Sequence, residues 1–263
     1  MTHKLLQIEA ATLQLGATQL GPFSLSLQAG ERVAILGASG AGKSSLMRLI
    51  SRELAAQTGR VLLDGQPLDA WSAPALARKR AVLPQSHGVA FGLPVELVVS
   101  LGRVSHVHDP ERDRIVREAL VQARAAHLTG RRFDTLSGGE QARVQMARVF
   151  AQSWDTSEGL LLVDEPLAAL DPGLALELME SLQRFATERG HALLAVLHDL
   201  SMAFNHFDRL WLLGEGRVRA DCDAVPAALP LLEQAYGVRL RMLRDAEGVA
   251  IVASPNRPME RAA

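Results

Sequence analysis

The segment Gly37–Ser44 (GASGAGKS) constrains the fold of this chain more than any other part of its sequence. It fits the pattern G-x-x-x-x-G-K-[ST]. It stands between Arg32–Leu36 (RVAIL), a run typical of a strand buried on both faces, and a helix predicted from about Lys43 to Leu54. Its glycines allow consecutive backbone N–H groups to turn inward around a polyphosphate, and the helix N-terminus adds about half a positive charge. The segment therefore predicts a phosphate loop in an α/β fold.

The residue types in this segment indicate how a nucleoside triphosphate would be held. Lys43 would reach the β- and γ-phosphates, and the Ser44 hydroxyl would ligate Mg²⁺. A chance glycine turn is the alternative, but such a match arises by accident in only about one in a hundred chains of this length. We expect the ATP-binding residues to be Gly37, Ala38, Ser39, Gly40, Ala41, Gly42, Lys43, Ser44 and Ser45.

A second run, Leu160–Glu165 (LLLVDE), predicts an apolar strand that ends in two carboxylates. Ligands of open parallel sheets bind at the carboxyl ends of the strands. Asp164 could hold Mg²⁺, directly or through water, while Glu165 points to the other side of the strand and could polarise an attacking water as a general base. Carboxylates often end strands as solvated turn residues, so this run supports a hydrolytic site only together with the phosphate loop.

The composition narrows the possible architectures and partners. With 263 residues, of which 48% are hydrophobic, the chain suits one large α/β domain with an inserted lobe, or two small domains. Its formal net charge of -1 provides no global basic field, so we expect no nucleic-acid partner. The single cysteine, Cys222, cannot form an internal disulfide and favours a reducing compartment.

The hydropathy pattern indicates where in the cell the protein is expected to lie. The N-terminus lacks the pattern of a signal peptide, and no run approaches the length of about 18 apolar residues that a transmembrane helix needs. We expect a cytoplasmic protein, and any membrane span in the process it serves would come from another chain.

The helical patterns indicate a lobe within the α/β core. Runs at Val95–Leu101, Glu111–His127 and about Gly139–Gln152 predict three helices, and an apolar strand pattern resumes at Leu160. We therefore expect a single domain over residues 1–254, in which 1–86 and 153–254 form the core and 87–152 the helical lobe. Residues 255–263 are expected to form a disordered tail.

The segment Leu136–Gln141 (LSGGEQ) opens the third predicted helix. Ser137 and the backbone of Gly138 and Gly139 would form a helix N-terminus suited to a phosphate, although a serine N-cap followed by Glu140 would explain the pattern locally. Between the phosphate loop and LLLVDEP, the segment resembles the signature sequence of ABC-type ATPases. The resemblance implies an α/β fold with a P-loop NTPase core of the ABC ATPase type, an N-terminal antiparallel β subdomain and an inserted α-helical subdomain.

The resemblance also implies contacts between two subunits. Ser137, Gly138 and Gly139 would contact the γ-phosphate of an ATP molecule held by the opposite subunit. Asp171 lies in a segment that resembles the loop crossing between subunits, and it would add a second contact in trans. The family often has serine where Ala169 stands, so that crossing contact is expected to be weaker in this chain.

Two further positions resemble residues that act on the attacking water. Gln85, after the predicted strand AVLP, resembles the glutamine that senses Mg²⁺ and water and links the core to the helical lobe. His198, after ALLAVL, resembles the histidine that contacts the γ-phosphate and orients the water. The expected catalytic residues are thus Glu165, His198 and Gln85, and the expected Mg²⁺ ligands are Ser44, Gln85 and Asp164.

One position departs from the family pattern. Families of this kind usually stack the adenine on an aromatic residue upstream of the phosphate loop. The corresponding place here is Leu15 or a neighbour, and no aromatic residue precedes Phe23. The lost stacking energy would be on the order of 1 kcal/mol. We therefore expect a weaker affinity or selectivity for the nucleotide.

The motifs in this chain favour a homodimer, and they favour a transporter over other P-loop proteins. The phosphate loop and the signature cannot close on the same nucleotide, and each occurs once, so we expect a homodimer that encloses two ATP molecules. LSGGEQ disfavours a P-loop kinase. A soluble ABC ATPase acting on DNA or ribosomes usually carries a long coiled coil or two tandem cassettes, and this sequence has neither.

Longer segments narrow the resemblance. Four of them together resemble the ATPase subunits of bacterial importers for iron complexes, haem and cobalamin: GQPLDAWSAPALARKRAVLPQ, TLSGGEQARVQMARVFAQSW, LLAVLHDLSMAFNHFDRLWLL and LLEQAYGVRL. LARKRAVLPQ and RVFAQSW are most similar to the haemin importer group, and a ferric siderophore or cobalamin is the alternative cargo.

This resemblance implies the other members of a complex. They are two transmembrane permease subunits and a periplasmic substrate-binding protein, with the ATPase pair peripheral on the cytoplasmic face of the bacterial inner membrane. The permease would dock near Gln85 and the start of the helical lobe.

Overall fold

The computed structural model describes residues 4–84, 92–165, 170–246 and 248–255. The strands are β1 (Lys4–Leu15), β2 (Thr18–Gln28), β3 (Arg32–Leu36), β4 (Thr58–Leu63), β5 (Gln66–Pro67), β6 (Arg80–Leu83), β7 (Leu160–Asp164), β8 (Ala192–Val196), β9 (Arg209–Gly214), β10 (Arg217–Asp223), β11 (Val238–Arg244) and β12 (Val249–Pro255). The helices are α1 (Lys43–Ile50), α2 (Ala73–Lys79), α3 (Val95–Ser100), α4 (Arg112–Gln122), α5 (Gly138–Ser153), α6 (Pro172–Arg189), α7 (Leu200–His206) and α8 (Leu229–Tyr236).

A six-stranded sheet in the order β10-β9-β3-β8-β7-β6 forms the centre of the fold. All neighbouring strands in it are parallel except β10, which pairs antiparallel with β9 at the edge. Alternate residues of the central strands enter two different hydrophobic cores, as Val33 and Ala34 of β3 illustrate. Burial on both faces explains why β3, β7 and β8 are continuous apolar runs without polar alternation.

A second sheet, β2-β1-β4-β5, is antiparallel and is built mainly from the N-terminal segment. Its inward side chains share one core with α1 and with one face of the central sheet, for example Leu5, Phe23, Leu46 and Leu194. A parallel core combined with an N-terminal antiparallel sheet is the fold class expected from the sequence.

The opposite face of the central sheet is covered by helices. Helices α3 and α4 both contact α5, and their apolar faces join α6 in the second core. A buried arginine joins segments of this region, because the Arg103 guanidinium, whose residue is only 2% exposed, contacts Asp109 and Asp155 at 2.7 Å each. Helices α3, α4 and α5 lie between β6 and β7 in the chain, where the sequence predicts an inserted lobe.

Two predicted helices are too long at their C-terminal ends. The helix expected over Glu111–His127 ends at Gln122, and the helix expected to reach Leu54 ends at Ile50. In both cases a residue shortly after the helix adopts a left-handed backbone, Arg124 at φ 52 and Arg52 at φ 60. A left-handed residue directs the chain away from the helix axis, and neither position is a glycine or proline that would have signalled the end.

The C-terminal strands form a hairpin. Strands β11 and β12 pair antiparallel from Val238↔Pro255 to Arg244↔Val249, and the Asp245 N–H donates to the Gly248 carbonyl at the turn. Of the expected tail, Pro255 ends β12, and 256–263 lie outside the described residues. Within the described ranges, no helix combines the length and the apolar character needed to cross a bilayer.

Candidate functional site

The phosphate loop connects β3 to α1 and depends on glycine at its first position. Gly37 has a φ of 148, and a β-carbon added there would lie 2.3 Å from the carbonyl oxygen of Leu213. Gly42 has a φ of 97 and caps the N-terminus of α1 in a left-handed conformation. Side chains at these two positions would therefore force the backbone out of the loop conformation.

Lys43 folds back over this loop. Its residue is 6% exposed, and its Nζ donates hydrogen bonds to the carbonyl oxygens of Gly37 at 2.8 Å and Ala38 at 3.1 Å. Burial lowers the pKa of the ammonium, while the negative charges of Glu165 and Asp164 act in the opposite direction. The ammonium is thus held at the mouth of the loop by neutral carbonyls that a polyphosphate could replace as its partners.

Asp164, at the end of β7, lies beside the start of α1. Burial and the charge of Glu165 raise the pKa of this carboxyl, and a hydrogen bond donated by the Ser44 hydroxyl partly offsets them. Its Oδ1 is buried and has no hydrogen-bond partner among the described residues. A buried carboxylate oxygen with an open coordination position next to a hydroxyl fits a magnesium ion, which prefers hard oxygen ligands.

Glu165 and His198 contact each other at the ends of neighbouring parallel strands. The His198 Nε2 lies 2.5 Å from Glu165 Oε1, and the Glu165 side chain is only 12% exposed against 49% for His198. The parallel pairing of Asp164 with Val196 brings these two strand ends together. The arrangement combines a carboxylate and an imidazole at one point next to the phosphate loop.

One cleft of about 510 Å³ collects most of the residues predicted to act on the nucleotide. Its wall includes the candidate catalytic pair and Leu15, the position expected to face adenine. The lining residues are Leu15, Thr18, Leu20, Ser39, Gly40, Ala41, Gly42, Lys43, Ser44, Ser45, Glu165 and His198. The sequence-predicted phosphate loop, Glu165 and His198 are therefore adjacent in space.

The signature residues are not among those that line this cleft. Ser137 caps α5, where its Oγ accepts a hydrogen bond from the Glu140 N–H at 3.3 Å and its own N–H donates to Glu140 Oε2 at 2.8 Å. The local interpretation of SGGE as a capping box is thus correct. It does not exclude phosphate binding, because the serine hydroxyl accepts in the cap and can still donate its proton to an oxyanion.

Asp171 also caps a helix and is not among the residues that line this cleft. Its Oδ1 accepts a hydrogen bond from the Leu174 N–H at 3.0 Å at the start of α6. Gly139 of the signature approaches the same helix, since a β-carbon added there would lie 2.5 Å from Leu174 Cδ2. The two segments predicted to act in trans are therefore neighbours. Gln85 and Ala169 lie outside the described residues.

One contact at this site could not be found from the sequence. The Tyr236 hydroxyl accepts a hydrogen bond from the Gly37 N–H at 2.9 Å, across 199 positions of the chain. Neither residue carries a local pattern that indicates the other. The sequence likewise did not predict that Thr18 and Leu20 line the cleft.

The fold and the cleft define a P-loop nucleoside triphosphatase with a helical region between β6 and β7. Comparison with known families narrows this class, because the sequence model described as ABC transporter matches residues 20–168. The chain belongs to the ABC transporter family, so the resemblance drawn from LSGGEQ and the expected fold class are confirmed.

Curated relatives are similar over most of their length. The Hemin import ATP-binding protein HmuV of Pseudomonas aeruginosa is 45% identical over 81% of this chain and 84% of its own. The protein of the same name from Pseudomonas putida is 43% identical over 89% of this chain and 93% of its own. The one from Nocardia farcinica is 45% identical over 77% of this chain and 69% of its own.

Solved structures agree with the fold. A chain of an inward-facing ABC transporter assigned to the metal-chelate type superposes with a TM-score of 0.80 at 21% identity, covering 97% of this chain and 98% of its own. The structure of cbiO1 from Clostridium perfringens, part of the ABC transporter complex cbiONQ, gives a TM-score of 0.75 at 27% identity over 89% and 93%.

The position of Leu15 in the cleft wall makes the adenine hypothesis testable. We expect Leu15→Tyr to tighten the dissociation constant for ATP about fivefold, because an aromatic ring adds stacking worth about 1 kcal/mol. Titration of the purified variants with Mg·ATP measures this. Leu243→Tyr, at an exposed position of β11, is the matched control. An unchanged constant for Leu15→Tyr would contradict the hypothesis that adenine lies on this aliphatic surface.

Proposed function

We propose that this chain is the ATP-binding and ATP-hydrolysing subunit of a bacterial importer for haemin. The contact between Glu165 and His198 beside the phosphate loop carries the assignment of hydrolysis. The cargo is supported by relatives named Hemin import ATP-binding protein, which are more than 40% identical over most of the chain. An ATPase subunit does not touch the cargo, so the cargo assignment depends on this similarity.

Magnesium is assigned to the Ser44 hydroxyl and Asp164, with Gln85 as a further ligand. The buried and unpartnered Oδ1 of Asp164 supports this assignment, as does the hydrogen bond from Ser44 that already joins the two groups. When bound, the ion would neutralise negative charge on the phosphates. Lys43 supplies the second positive charge by exchanging its contacts with the loop carbonyls for contacts with the β- and γ-phosphates.

Hydrolysis would proceed by in-line attack of water on the γ-phosphorus. Glu165 accepts the proton of the water as the new P–O bond forms and the bond to the bridging oxygen of ADP breaks. His198 and Gln85 orient the water and the γ-phosphate. Because phosphoryl transfer needs little covalent help, positioning and charge neutralisation supply most of the catalysis.

A second copy of the chain would complete each site. Ser137, Gly138 and Gly139 of one chain would close on the γ-phosphate bound to the phosphate loop of the other, and Asp171 would add a contact across the pair. None of these four residues lines the cleft of their own chain, which supports this arrangement. Two helix N-termini then meet one polyphosphate from opposite sides, which favours its negative charge.

The permease would dock on exposed apolar side chains at the start of the helical region. Leu97 and Leu101 are each 46% exposed, Val104 is 76% exposed, and Val107 is fully exposed. Exposed apolar side chains are frequent at protein interfaces, and these four lie close together in the chain. We propose two permease subunits, a periplasmic substrate-binding protein and a peripheral position on the cytoplasmic face of the inner membrane.

A variant that binds but does not hydrolyse ATP tests the paired arrangement. We expect Glu165→Gln to accumulate as an ATP-bound dimer, because it keeps the shape and hydrogen-bonding reach of the side chain but lacks the base. Gel filtration with and without Mg·ATP measures this. Glu180→Gln, at an exposed position of α6, is the control and should not accumulate as a dimer. A Glu165→Gln variant that elutes only as a monomer would contradict the model.

Growth of the source bacterium tests the cargo. With haemin as sole iron source, the Glu165→Gln strain should fail to grow while the Glu180→Gln strain grows normally. Both strains should grow on inorganic iron and on a ferric siderophore. If the Glu165→Gln strain grows normally on haemin but is defective with a siderophore or in cobalamin use, the cargo is a ferric siderophore or cobalamin instead of haemin. The absence of any defect would overturn the transport assignment.

A further inference from the structure

The glycine that opens the phosphate loop is held by two side chains at once. Its N–H donates to the Tyr236 hydroxyl at 2.9 Å, and its carbonyl accepts from Lys43 Nζ at 2.8 Å. Lys43 is the residue assigned to the phosphates, so its contact with Gly37 must be exchanged when a nucleotide binds. The Tyr236 contact lies on the other polar group of Gly37 and need not change.

Tyr236 is the last residue of a helix that is fixed in place. Leu232 of α8 is 1% exposed and belongs to the core on the helical face of the central sheet. Gly237, directly after the helix, has a left-handed φ of 66 and caps it. Within the helix, Glu233 Oε1 accepts a hydrogen bond from the Leu240 N–H of β11 at 2.6 Å. The Tyr236 hydroxyl is therefore presented to Gly37 from an anchored backbone.

The hairpin that follows α8 is attached to the helix after His198. The Asn205 side chain donates to the Val249 carbonyl at 2.7 Å and accepts from the Val249 N–H at 2.8 Å. The Ser201 Oγ accepts from the Ile251 N–H at 2.9 Å. The C-terminal residues thus contact both the first residue of the phosphate loop and the helix that begins next to the candidate catalytic histidine.

Open space separates the rest of the phosphate loop from α8. A cleft of about 610 Å³ lies between Ala38–Ala41 on one side and Leu231, Gln234 and Ala235 of α8 on the other. The Tyr236 hydroxyl joins the two elements beside this cleft. This hydrogen bond is therefore a direct link between α8 and the start of the phosphate loop.

We propose that Tyr236 is a positioning residue for nucleotide binding, acting through Gly37 on the conformation of the phosphate loop. Its hydroxyl fixes the first amide of the loop, so that the loop keeps its shape when Lys43 leaves the carbonyls for the phosphates. A loop already in its bound conformation loses less entropy on binding, which strengthens affinity. This inference rests on the proposed ATP site but not on the proposed cargo.

The test is the affinity of Tyr236→Phe for Mg·ADP, measured by calorimetric titration of the full chain. ADP carries the β-phosphate that the loop surrounds. It also avoids the dimerisation that ATP is expected to drive. Loss of the hydroxyl should raise the dissociation constant about three- to tenfold, the effect of one hydrogen bond of ordinary net strength. In steady-state hydrolysis, the KM for ATP should rise by a similar factor with little change in kcat.

Two further variants separate this role from a purely structural one. Ser181→Ala removes a hydroxyl of a buried residue that donates to the Gln122 carbonyl at 2.8 Å, away from the phosphate loop. It should lower the melting temperature without changing ADP affinity. Tyr236→Leu, which also removes the ring, should weaken ADP binding by a factor similar to that for Tyr236→Phe.

One outcome would overturn the proposal, namely an ADP dissociation constant for Tyr236→Phe equal to that of the wild type. If Tyr236→Leu nevertheless binds ADP more weakly, the effect belongs to ring packing instead of the hydroxyl. This result does not depend on the growth experiment, because ADP binding by the isolated chain does not involve haemin.

Discussion

The parallel pairing of β3, β8 and β7 is the constraint on which the rest of the structure depends. Parallel strands end at the same edge of a sheet, so the chain leaving each of these strands emerges at one place. The phosphate loop follows β3, Asp164 and Glu165 stand at the end of β7, and His198 follows β8. A shift of one residue in the register of β7 against β8 would turn Asp164 away from α1 and separate Glu165 from His198.

The same edge concentrates groups that are costly to bury. Burial works against the charged forms of Lys43 and Asp164, lowering the pKa of the first and raising that of the second. Their mutual attraction offsets part of this cost, and a polyphosphate with its metal ion would offset more. The site therefore suits the negatively charged phosphates of ATP, and the magnesium ion that we propose would add positive charge beside Asp164. The residues that we propose to act from a second chain do not line the cleft, which supports a site completed by that chain.

Much of this could be predicted from local sequence. The phosphate loop, the acidic strand end and the capping box at Ser137 each depend on residues a few positions apart. The resemblance to ABC-type ATPases that these motifs carry together implied the fold class. The predicted C-terminal ends of α1 and α4 were wrong because the chain turns at Arg52 and Arg124. These residues adopt left-handed backbones, and neither is the glycine that usually indicates such a turn in a sequence. Tyr236 was missed because its contact with Gly37 spans 199 positions and depends on where α8 packs. No pattern within either segment contains that information.

The central claim is that each hydrolytic site takes its phosphate loop from one chain and its signature from the other. Mixing two inactive variants tests it directly. Lys43→Ala disables the phosphate loop, and Ser137→Asp keeps a good helix cap while placing a negative charge against the γ-phosphate. A mixed pair has one site with both defects and one intact site. Equal mixing should therefore restore ATPase activity to about a quarter of the wild-type rate if pairing is random. A mixture as inactive as its components, with mixed pairs demonstrated by cross-linking, would contradict the claim.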